Sequence, residues 1–206
     1  MVQKGILVVV SGFAGAGKGT IMKQLVSEYD NYALSVSATS RNPRPGEVDG
    51  VNYFFKSREE FEEMIKNDEL IEHAEYVGNY YGTPKAFVEK QLQEGKNVIL
   101  EIEIQGAMQI KKKFPEALLV FIMPPSAAEL KRRLVGRGTE TPEVIDMRMK
   151  RAIQESEGIE NYDFIVVNDV VEDCTKRLNG MIEASRYTPS RQADFINEVR
   201  AGLREI

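Results

Sequence analysis

Cysteine and histidine are scarce in this sequence, and both shortages exclude a kind of chemistry. Among 206 residues there is one cysteine, Cys174, and one histidine, His73. A lone cysteine cannot form an intramolecular disulfide, which is typical of proteins in a reducing compartment. One histidine and one cysteine also argue against a tetrahedral zinc site or a Cys–His catalytic pair. We therefore expect a cytoplasmic protein whose chemistry depends on other residue types.

A long apolar run and an excess of positive charge are also missing. No apolar stretch approaches the roughly 20 residues that span a bilayer, and the first residues lack a signal-peptide cleavage pattern. The 27 Lys and Arg residues are outnumbered by 32 Asp and Glu residues, which gives a formal net charge of −5. Nucleic-acid-binding domains are usually basic. We expect neither a membrane nor a nucleic-acid partner.

Strand and helix patterns alternate along most of the chain, whose length suits one globular domain. Continuous apolar runs, typical of strands buried on both faces of a sheet, occupy residues 6–11, 97–104, 118–123 and 164–168. The segments between them carry helical patterns, the first of them over residues 20–29. This alternation predicts an α/β fold with three layers around a parallel sheet.

Four helix starts support this interpretation. Two capping boxes, in which a serine is followed three residues later by a glutamate, lie at residues 57–60 and 126–129. Two Thr-Pro pairs, Thr83-Pro84 and Thr141-Pro142, predict an N-cap followed by proline at the first helical position.

Two segments interrupt the alternation and predict lobes inserted into a core. Residues 34–84 are polar and rich in Tyr, Arg, Asn and Gly, and they predict a small mixed or antiparallel unit. Residues 127–157 predict a helix, a glycine-rich break and a second helix that is dense in arginine. The remaining residues, 1–33, 85–126 and 158–206, form the predicted core of a single domain.

The strongest local motif is a glycine-rich loop between the first predicted strand and helix, the setting that distinguishes a phosphate-binding P-loop from a chance match. Its glycines allow successive backbone N–H groups to point at phosphate oxygens, and Lys18 adds a full positive charge at a helix N-terminus. The loop predicts a site for a nucleoside triphosphate. The residues assigned to it are Gly12, Phe13, Ala14, Gly15, Ala16, Gly17, Lys18, Gly19 and Thr20.

One position of the loop departs from the usual pattern. A serine or threonine normally follows the loop lysine and reaches Mg²⁺, but here Gly19 takes that place and Thr20 carries the nearest hydroxyl. We therefore expect Mg²⁺ to be held largely by water, with Thr20 as the one candidate ligand in the loop.

Several further motifs resemble those of the guanylate kinases, up to about residue 186. They are SATSRNPRPG at 37–46, NYFF at 52–55, LIEHAEYVGNYYGTPK at 70–85, ILEIEIQGA at 99–107, RGT at 137–139 and YDFIVVND at 162–169. The resemblance implies a P-loop kinase core, a GMP-binding lobe at 34–84 and a lid at 127–157. It also implies a reaction, the transfer of the γ-phosphoryl group of MgATP to GMP or dGMP. This reaction belongs to purine nucleotide metabolism.

The resemblance assigns ten residues to GMP. In guanine, N1–H and the exocyclic amine are neighbouring donors, and the carboxylate of Glu72 would accept a hydrogen bond from each. Adenine has no donor at N1. Arginine forks and tyrosine hydroxyls would hold the phosphate. The residues are Ser37, Arg41, Arg44, Tyr53, Glu72, Tyr81, Gly82, Thr83, Glu101 and Glu103.

Glu101 and Glu103 are two apart in the predicted strand 97–104, so we expect both side chains on one face near its carboxyl end. The family usually has Asp at the second position, where Glu103 is one methylene longer. We assign the pair to guanine or ribose contacts and to water-mediated contacts with Mg²⁺. A solvated acidic strand end is the alternative.

The resemblance assigns arginines of the lid to catalysis. Phosphoryl transfer needs two substrates in line and cancellation of charge on the moving group. Arg137 and Arg148 match the lid arginines, and with Lys18 and Arg44 they make the predicted catalytic set. Two further residues are assigned to ATP: Arg133, which is equally consistent with a surface charge, and Asn168, at an adenine-contacting position.

Two alternatives to a guanylate kinase remain at this stage. The sequence Gly-Lys-Gly-Thr of the loop also resembles adenylate kinases, so another nucleoside monophosphate kinase is one rival. The other is a non-catalytic guanylate-kinase-like interaction module. The phosphate loops of such modules have usually lost the P-loop pattern, whereas this chain keeps Lys18.

Overall fold

The computed structural model describes residues 4–76, 78–136, 138 and 141–205. Its strands are β1 (Leu7–Gly12), β2 (Tyr32–Leu34), β3 (Ala38–Thr39), β4 (Phe54–Phe55), β5 (Leu70–Tyr76), β6 (Asn79–Pro84), β7 (Asn97–Glu101), β8 (Leu118–Met123) and β9 (Phe164–Val167). Its helices are α1 (Lys18–Glu28), α2 (Arg58–Lys66), α3 (Lys85–Gln93), α4 (Ile104–Lys113), α5 (Ala127–Gly136), α6 (Pro142–Ser156), α7 (Val171–Ser185) and α8 (Ala193–Leu203), with a 3₁₀ turn at Ile159–Asn161.

A five-stranded parallel sheet forms the centre of the molecule, in the order β2, β7, β1, β8, β9. Each of the four predicted strands appears in it, and the prediction of an α/β fold around a parallel sheet is confirmed. β2 is an additional edge strand of three residues that pairs with β7 alone. The carboxyl ends of β1 and β7 lie side by side, which is where ligands of open parallel sheets bind.

Helices cover both faces of this sheet and make it the middle of three layers. Along β1, Val8 and Val10 face a core shared with α1, α7 and the helices that follow β8. Leu7 and Val9 face the opposite core, which α3 and α4 supply. Burial of every strand residue from Leu7 to Ser11 explains why the sequence of β1 is a continuous apolar run rather than an alternating one. Each such side chain contributes roughly 1.5–3 kcal/mol by leaving water.

The predicted strand over residues 97–104 is too long, and this part of the prediction is wrong. β7 ends at Glu101, the chain turns through Ile102 and Glu103, and α4 begins at Ile104. The apolar–acidic alternation continues past Glu101, but β1 pairs with β7 only as far as Val10 and Glu101. Without a neighbouring strand, the backbone is free to enter the helix.

A second sheet holds residues from the polar segment that follows β2. Its order is β4, β3, β6, β5, with β3 and β4 parallel and the other pairs antiparallel. Helix α2 covers it through Phe61, which is fully buried and stacks on Tyr80 at a ring distance of 5.3 Å. The mixed sheet agrees with the mixed unit expected from this segment.

The helix-start predictions have different outcomes. Ser57 forms a complete capping box with Glu60, and α6 begins at Pro142 after Thr141, as predicted. The oxygen of Ser126 accepts a hydrogen bond from the backbone N–H of Glu129 at 3.1 Å, which is half of a capping box. No helix among the described residues is long and apolar enough to cross a membrane.

The predicted start at Thr83-Pro84 is wrong by one residue. Helix α3 begins at Lys85 with Pro84 as its N-cap residue, and Thr83 remains in β6. The Thr83 hydroxyl is not available as a cap because it donates a hydrogen bond to Glu72 on the neighbouring strand β5. The tertiary contact therefore takes precedence over the local signal.

Candidate active site

The loop between β1 and α1 has the backbone of a phosphate cradle. Gly15 and Gly17 have φ angles of 91° and 90°, which residues with a side chain rarely adopt. A Cβ on Gly17 would also lie 2.4 Å from the Asn168 side-chain nitrogen, and one on Gly12 would lie 2.4 Å from the Ile122 carbonyl oxygen. Glycine is therefore required at these turns for both conformation and space.

Two side chains of the loop fix its position and its charge. Phe13 is buried and packs edge-on against Phe121 of β8, with ring centres 5.1 Å apart. Lys18, the first residue of α1, folds back over the loop, where its Nζ donates to the carbonyl oxygens of Gly12 at 2.6 Å and of Phe13 at 3.3 Å. The ammonium group is thereby held above the loop that would receive phosphate.

Asn168 and Arg133 clamp the far side of the loop. The Asn168 side-chain amide donates to the Ala16 carbonyl oxygen at 2.7 Å. Arg133, on α5, donates to the backbone oxygens of Asn168 at 2.8 Å and Ala16 at 3.4 Å, and its Nε pairs with Glu129 at 2.7 Å. Both residues predicted for ATP thus contact the P-loop. The buried Oδ1 of Asn168 has no protein partner, which leaves one acceptor for a ligand.

A cleft of about 280 Å³ opens between the second sheet and the carboxyl end of β7. Seven of the ten residues predicted for GMP line it, together with Ala74 and Ile102, which were not predicted. The predicted residues in its wall are Ser37, Tyr53, Glu72, Tyr81, Gly82, Glu101 and Glu103.

Glu72 is the buried carboxylate of this cleft. Its side chain lies on β5 with only 4% of the residue exposed, and Thr83 Oγ1 donates to its Oε1 at 2.7 Å. Burial raises the pKa of Glu72, and the nearby negative charge of Glu103 raises it further, whereas the Thr83 hydrogen bond and Lys113 lower it. A carboxylate that costs free energy to bury is well placed to accept hydrogen bonds from a ligand.

Arg41 forms the basic side of the site together with two tyrosines. Its guanidinium makes a two-pronged ion pair with Glu47, with N–O distances of 2.9 and 3.0 Å, and lies 5.5 Å from the ring centre of Tyr53. Tyr53 in turn lies 6.1 Å from Tyr81. Arg44 is exposed, and its backbone N–H donates to Glu47 at 2.7 Å. The segment between β3 and β4 therefore carries two arginines, and the ion pair with Glu47 fixes the orientation of Arg41.

Glu101 links the cleft to the P-loop. It pairs in register with Val10 of β1, just before the loop begins, and it also lines the cleft. Partial desolvation raises the pKa of Glu101, and the positive charge of Lys18 opposes that shift. Charged groups of the cleft and of the P-loop therefore influence each other. Phosphoryl transfer requires that the two bound molecules lie close together.

A comparison of the chain with protein families agrees with this geometry. Residues 4–185 match the family model described as guanylate kinase. The chain belongs to the guanylate kinase family. A guanylate kinase of Bacillus anthracis is 52% identical over 202 residues, 98% of each chain. One of Halalkalibacterium halodurans is 56% identical over 189 residues, 92% of this chain and 93% of the relative.

A solved structure gives the same result for the fold. The crystal structure of guanylate kinase from Anaplasma phagocytophilum superposes with a TM-score of 0.75 and 34% sequence identity. The match covers 92% of this chain and 90% of that one. The P-loop kinase architecture of this family member is therefore shared over most of the chain.

Glu103 occupies a different place from the one predicted. It is the N-cap residue of α4 rather than a residue of β7, although its side chain still reaches the cleft. Its carboxylate accepts a hydrogen bond from Arg151 of α6, which also pairs with Glu155 at 2.8 Å. The predicted strand-face pair of Glu101 and Glu103 is therefore wrong as geometry, but both residues border the same cleft.

Of the two predicted lid arginines, the structure describes Arg148 but not Arg137. Arg148 lies partly buried on α6, three residues before Arg151 and so on a neighbouring part of the same helix face. Arg137 lies outside the described residues. Their approach to a transferring phosphate stays a prediction.

The donors present fit a Mg²⁺ ion that the protein holds weakly. Among the residues that the structure describes, no group of three or more His, Cys, Asp or Glu side chains is arranged to hold a metal. Thr20 is exposed in the first turn of α1, and burial raises the pKa of the Glu101 carboxylate while the positive charge of Lys18 lowers it. This set suits an ion bound through phosphate oxygens and water, with Thr20 and Glu101 as candidate protein groups.

Besides Ala74 and Ile102, sequence reasoning missed two charged residues that pair with predicted residues of the site. Glu47 orients Arg41, and Arg151 holds Glu103. Both act by pairing with a predicted residue from 6 and 48 positions away. An arginine–glutamate pair at these separations carries no local signal, so only the folded chain reveals it.

Proposed function

We propose that this family member transfers the γ-phosphoryl group of ATP to GMP and releases ADP and GDP. The observation that carries the proposal is the buried carboxylate of Glu72, which faces a cleft beside the P-loop. Guanine presents two adjacent donors, N1–H and the 2-amino group, that match the two oxygens of such a carboxylate. The same cleft would accept dGMP, because the recognition concerns the base and the phosphate.

The residues of the chain have separate roles in this reaction. The P-loop backbone and Lys18 bind the β- and γ-phosphates of ATP, with Arg133 and Asn168 beside them. Arg41, Arg44, Tyr53 and Tyr81 bind the GMP phosphate and point its oxygen toward the γ-phosphorus. The acceptor oxygen is already anionic, so no general base is needed. Lys18 and the arginines, including Arg137 and Arg148, balance charge on the moving group.

Mg²⁺, when bound with ATP, would neutralise the β- and γ-phosphates and hold them in a fixed orientation. Closure of the segment 127–157 over the phosphates would exclude water, so that ATP is not hydrolysed in place of transfer. We place the reaction in the cytoplasm, in purine nucleotide metabolism, since the substrates are free nucleotides and the single cysteine suits a reducing compartment.

The alternatives are less consistent with the site. For AMP, the buried Glu72 would face the N1 acceptor of adenine, and two acceptors without a shared proton repel each other. For a non-catalytic module, the intact loop glycines and Lys18 would have no purpose. Both alternatives predict no GMP-dependent formation of ADP.

Product analysis with a loop variant tests the proposal. Wild-type protein with Mg²⁺, ATP and GMP should yield equal amounts of ADP and GDP by anion-exchange chromatography. Lys18→Ala should lower kcat by about 10²-fold or more through loss of charge stabilisation, with an unchanged circular dichroism spectrum. Lys23→Ala is the matched control, because Lys23 is exposed on the same helix. Turnover by Lys18→Ala equal to that of Lys23→Ala would refute the loop assignment.

A further inference from the structure

Gly106 lies in the first turn of α4, against the carboxylate of Glu72. Its backbone conformation is not one that requires glycine, since it is absent from the residues with positive φ. A Cβ built on it would nevertheless lie 2.9 Å from Glu72 Oε2 and 3.2 Å from Ile102 Cδ1. What excludes a side chain here is therefore mainly the carboxylate that the proposed function assigns to guanine.

Glycine is an unfavourable choice at this position on local grounds. It is disfavoured in a helix relative to alanine because it loses more backbone entropy on folding. Gly106 is buried, and the next residue, Ala107, is buried with a methyl group in the same helix. The helix tolerates a methyl at 107, where it packs in the core, whereas at 106 the methyl would meet Glu72.

Glu72 has little freedom to move away. Its residue is 4% exposed, and its Oε1 is held by the hydroxyl of Thr83, which is itself fully buried. The other oxygen, Oε2, is the one that faces Gly106. A methyl group at 106 would displace Oε2 by several tenths of an ångström or break the Thr83 hydrogen bond. Either change alters the direction of both carboxylate oxygens.

We propose that Gly106 is a positioning residue for guanine recognition. By leaving space for Glu72, it fixes the carboxylate where it accepts both donors of the base, and so contributes to the choice of GMP over AMP. This inference rests on the proposed function. It concerns binding of the acceptor only, because Gly106 is not part of the P-loop that receives ATP.

Gly106→Ala tests the inference, with Gly180→Ala as the matched control. Gly180 is also helical, in α7, but a Cβ there would meet nothing within 4 Å. We expect Gly106→Ala to raise the KM for GMP by about tenfold or more, the loss of one good hydrogen bond, with less than about a twofold change in the KM for ATP. Gly180→Ala should change neither. An unchanged KM for GMP in Gly106→Ala would overturn the inference.

A double-mutant cycle separates this role from a structural one. If Gly106 acts through Glu72, Gly106→Ala should cause no further rise in the KM for GMP in a Glu72→Ala background. Gly106→Ala should lower the Tm of the wild type but should not lower the Tm of Glu72→Ala, because the added methyl group then enters the space that the Glu72 side chain has vacated. Equal losses in both backgrounds would contradict the inference. If the wild type does not phosphorylate GMP at all, the proposed function fails instead.

Discussion

Glu72→Gln is the substitution whose consequences the structure defines most fully. The amide keeps the shape of the carboxylate, and its oxygen can retain the 2.7 Å hydrogen bond from Thr83 Oγ1. The amide nitrogen must then occupy the position of Oε2, next to Gly106. One acceptor facing the cleft is thereby replaced by a donor, while the packing is preserved.

We expect Glu72→Gln to weaken the binding of GMP. One charge-assisted hydrogen bond to guanine is lost and a donor meets a donor, which together amount to about 3 kcal/mol, or about a 150-fold rise in the KM for GMP. The KM for ATP should stay within about twofold, because the P-loop is unchanged. A coupled assay of ADP release, with each substrate varied in turn, measures both constants. A KM for GMP within about threefold of wild type would refute the base-reading role of Glu72.

The same variant should be more stable than the wild type in the absence of GMP. Because burial raises the pKa of Glu72, this group stabilises the fold at low pH, and that contribution is lost as the pH rises through the elevated pKa. Glu72→Gln should therefore have the higher Tm at pH 7, with the difference disappearing toward roughly pH 3, where the unfolded-state carboxyl is also almost fully protonated. Thermal unfolding followed by circular dichroism across this range measures the effect. A lower Tm for Glu72→Gln at pH 7 would contradict the account of its burial.

Three further predictions concern other parts of the molecule. Gly17→Ala should raise the KM for ATP by about tenfold or more, whereas Gly19→Ala should be tolerated because a Cβ there meets nothing within 4 Å; equal effects in the ATP titration would contradict this. Arg151→Ala should lower the free energy of unfolding by less than about 1 kcal/mol in urea, since its pair with Glu103 is about one-third exposed, and high salt should reduce the difference. Ser57→Ala should cost about 1 kcal/mol by removing a complete capping box, and an unchanged urea midpoint would argue against that cap.

The central sheet was largely predictable because its strands are buried on both faces. Continuous apolar runs such as residues 118–123 coincide with an observed strand, Leu118–Met123. β2 was missed because only three residues at the sheet edge pair with one neighbour. The end of β7 was misplaced because apolar–acidic alternation persists in the sequence after strand pairing stops at Glu101.

Most of the residues that line the cleft were predicted from the family resemblance. From residue patterns alone, the chemistry of the site was predictable only where local sequence fixes local geometry. The P-loop is such a case, since its glycines and Lys18 are contiguous. Thr83 is the opposite case: a Thr-Pro pair predicts a helix cap, yet the hydroxyl binds Glu72 eleven residues away. The space that Gly106 leaves for Glu72 likewise depends on how α4 packs on β5, which no local pattern encodes.

Acceptor selectivity is the most direct test of the account. The measurement is kcat/KM of the wild-type protein for GMP and for AMP, at fixed saturating MgATP, from coupled ADP release. A buried carboxylate that pairs with two donors of the base predicts a preference for GMP of about 10³-fold or more. Equal values for the two nucleotides, or a preference for AMP, would contradict the assignment of the cleft to guanine.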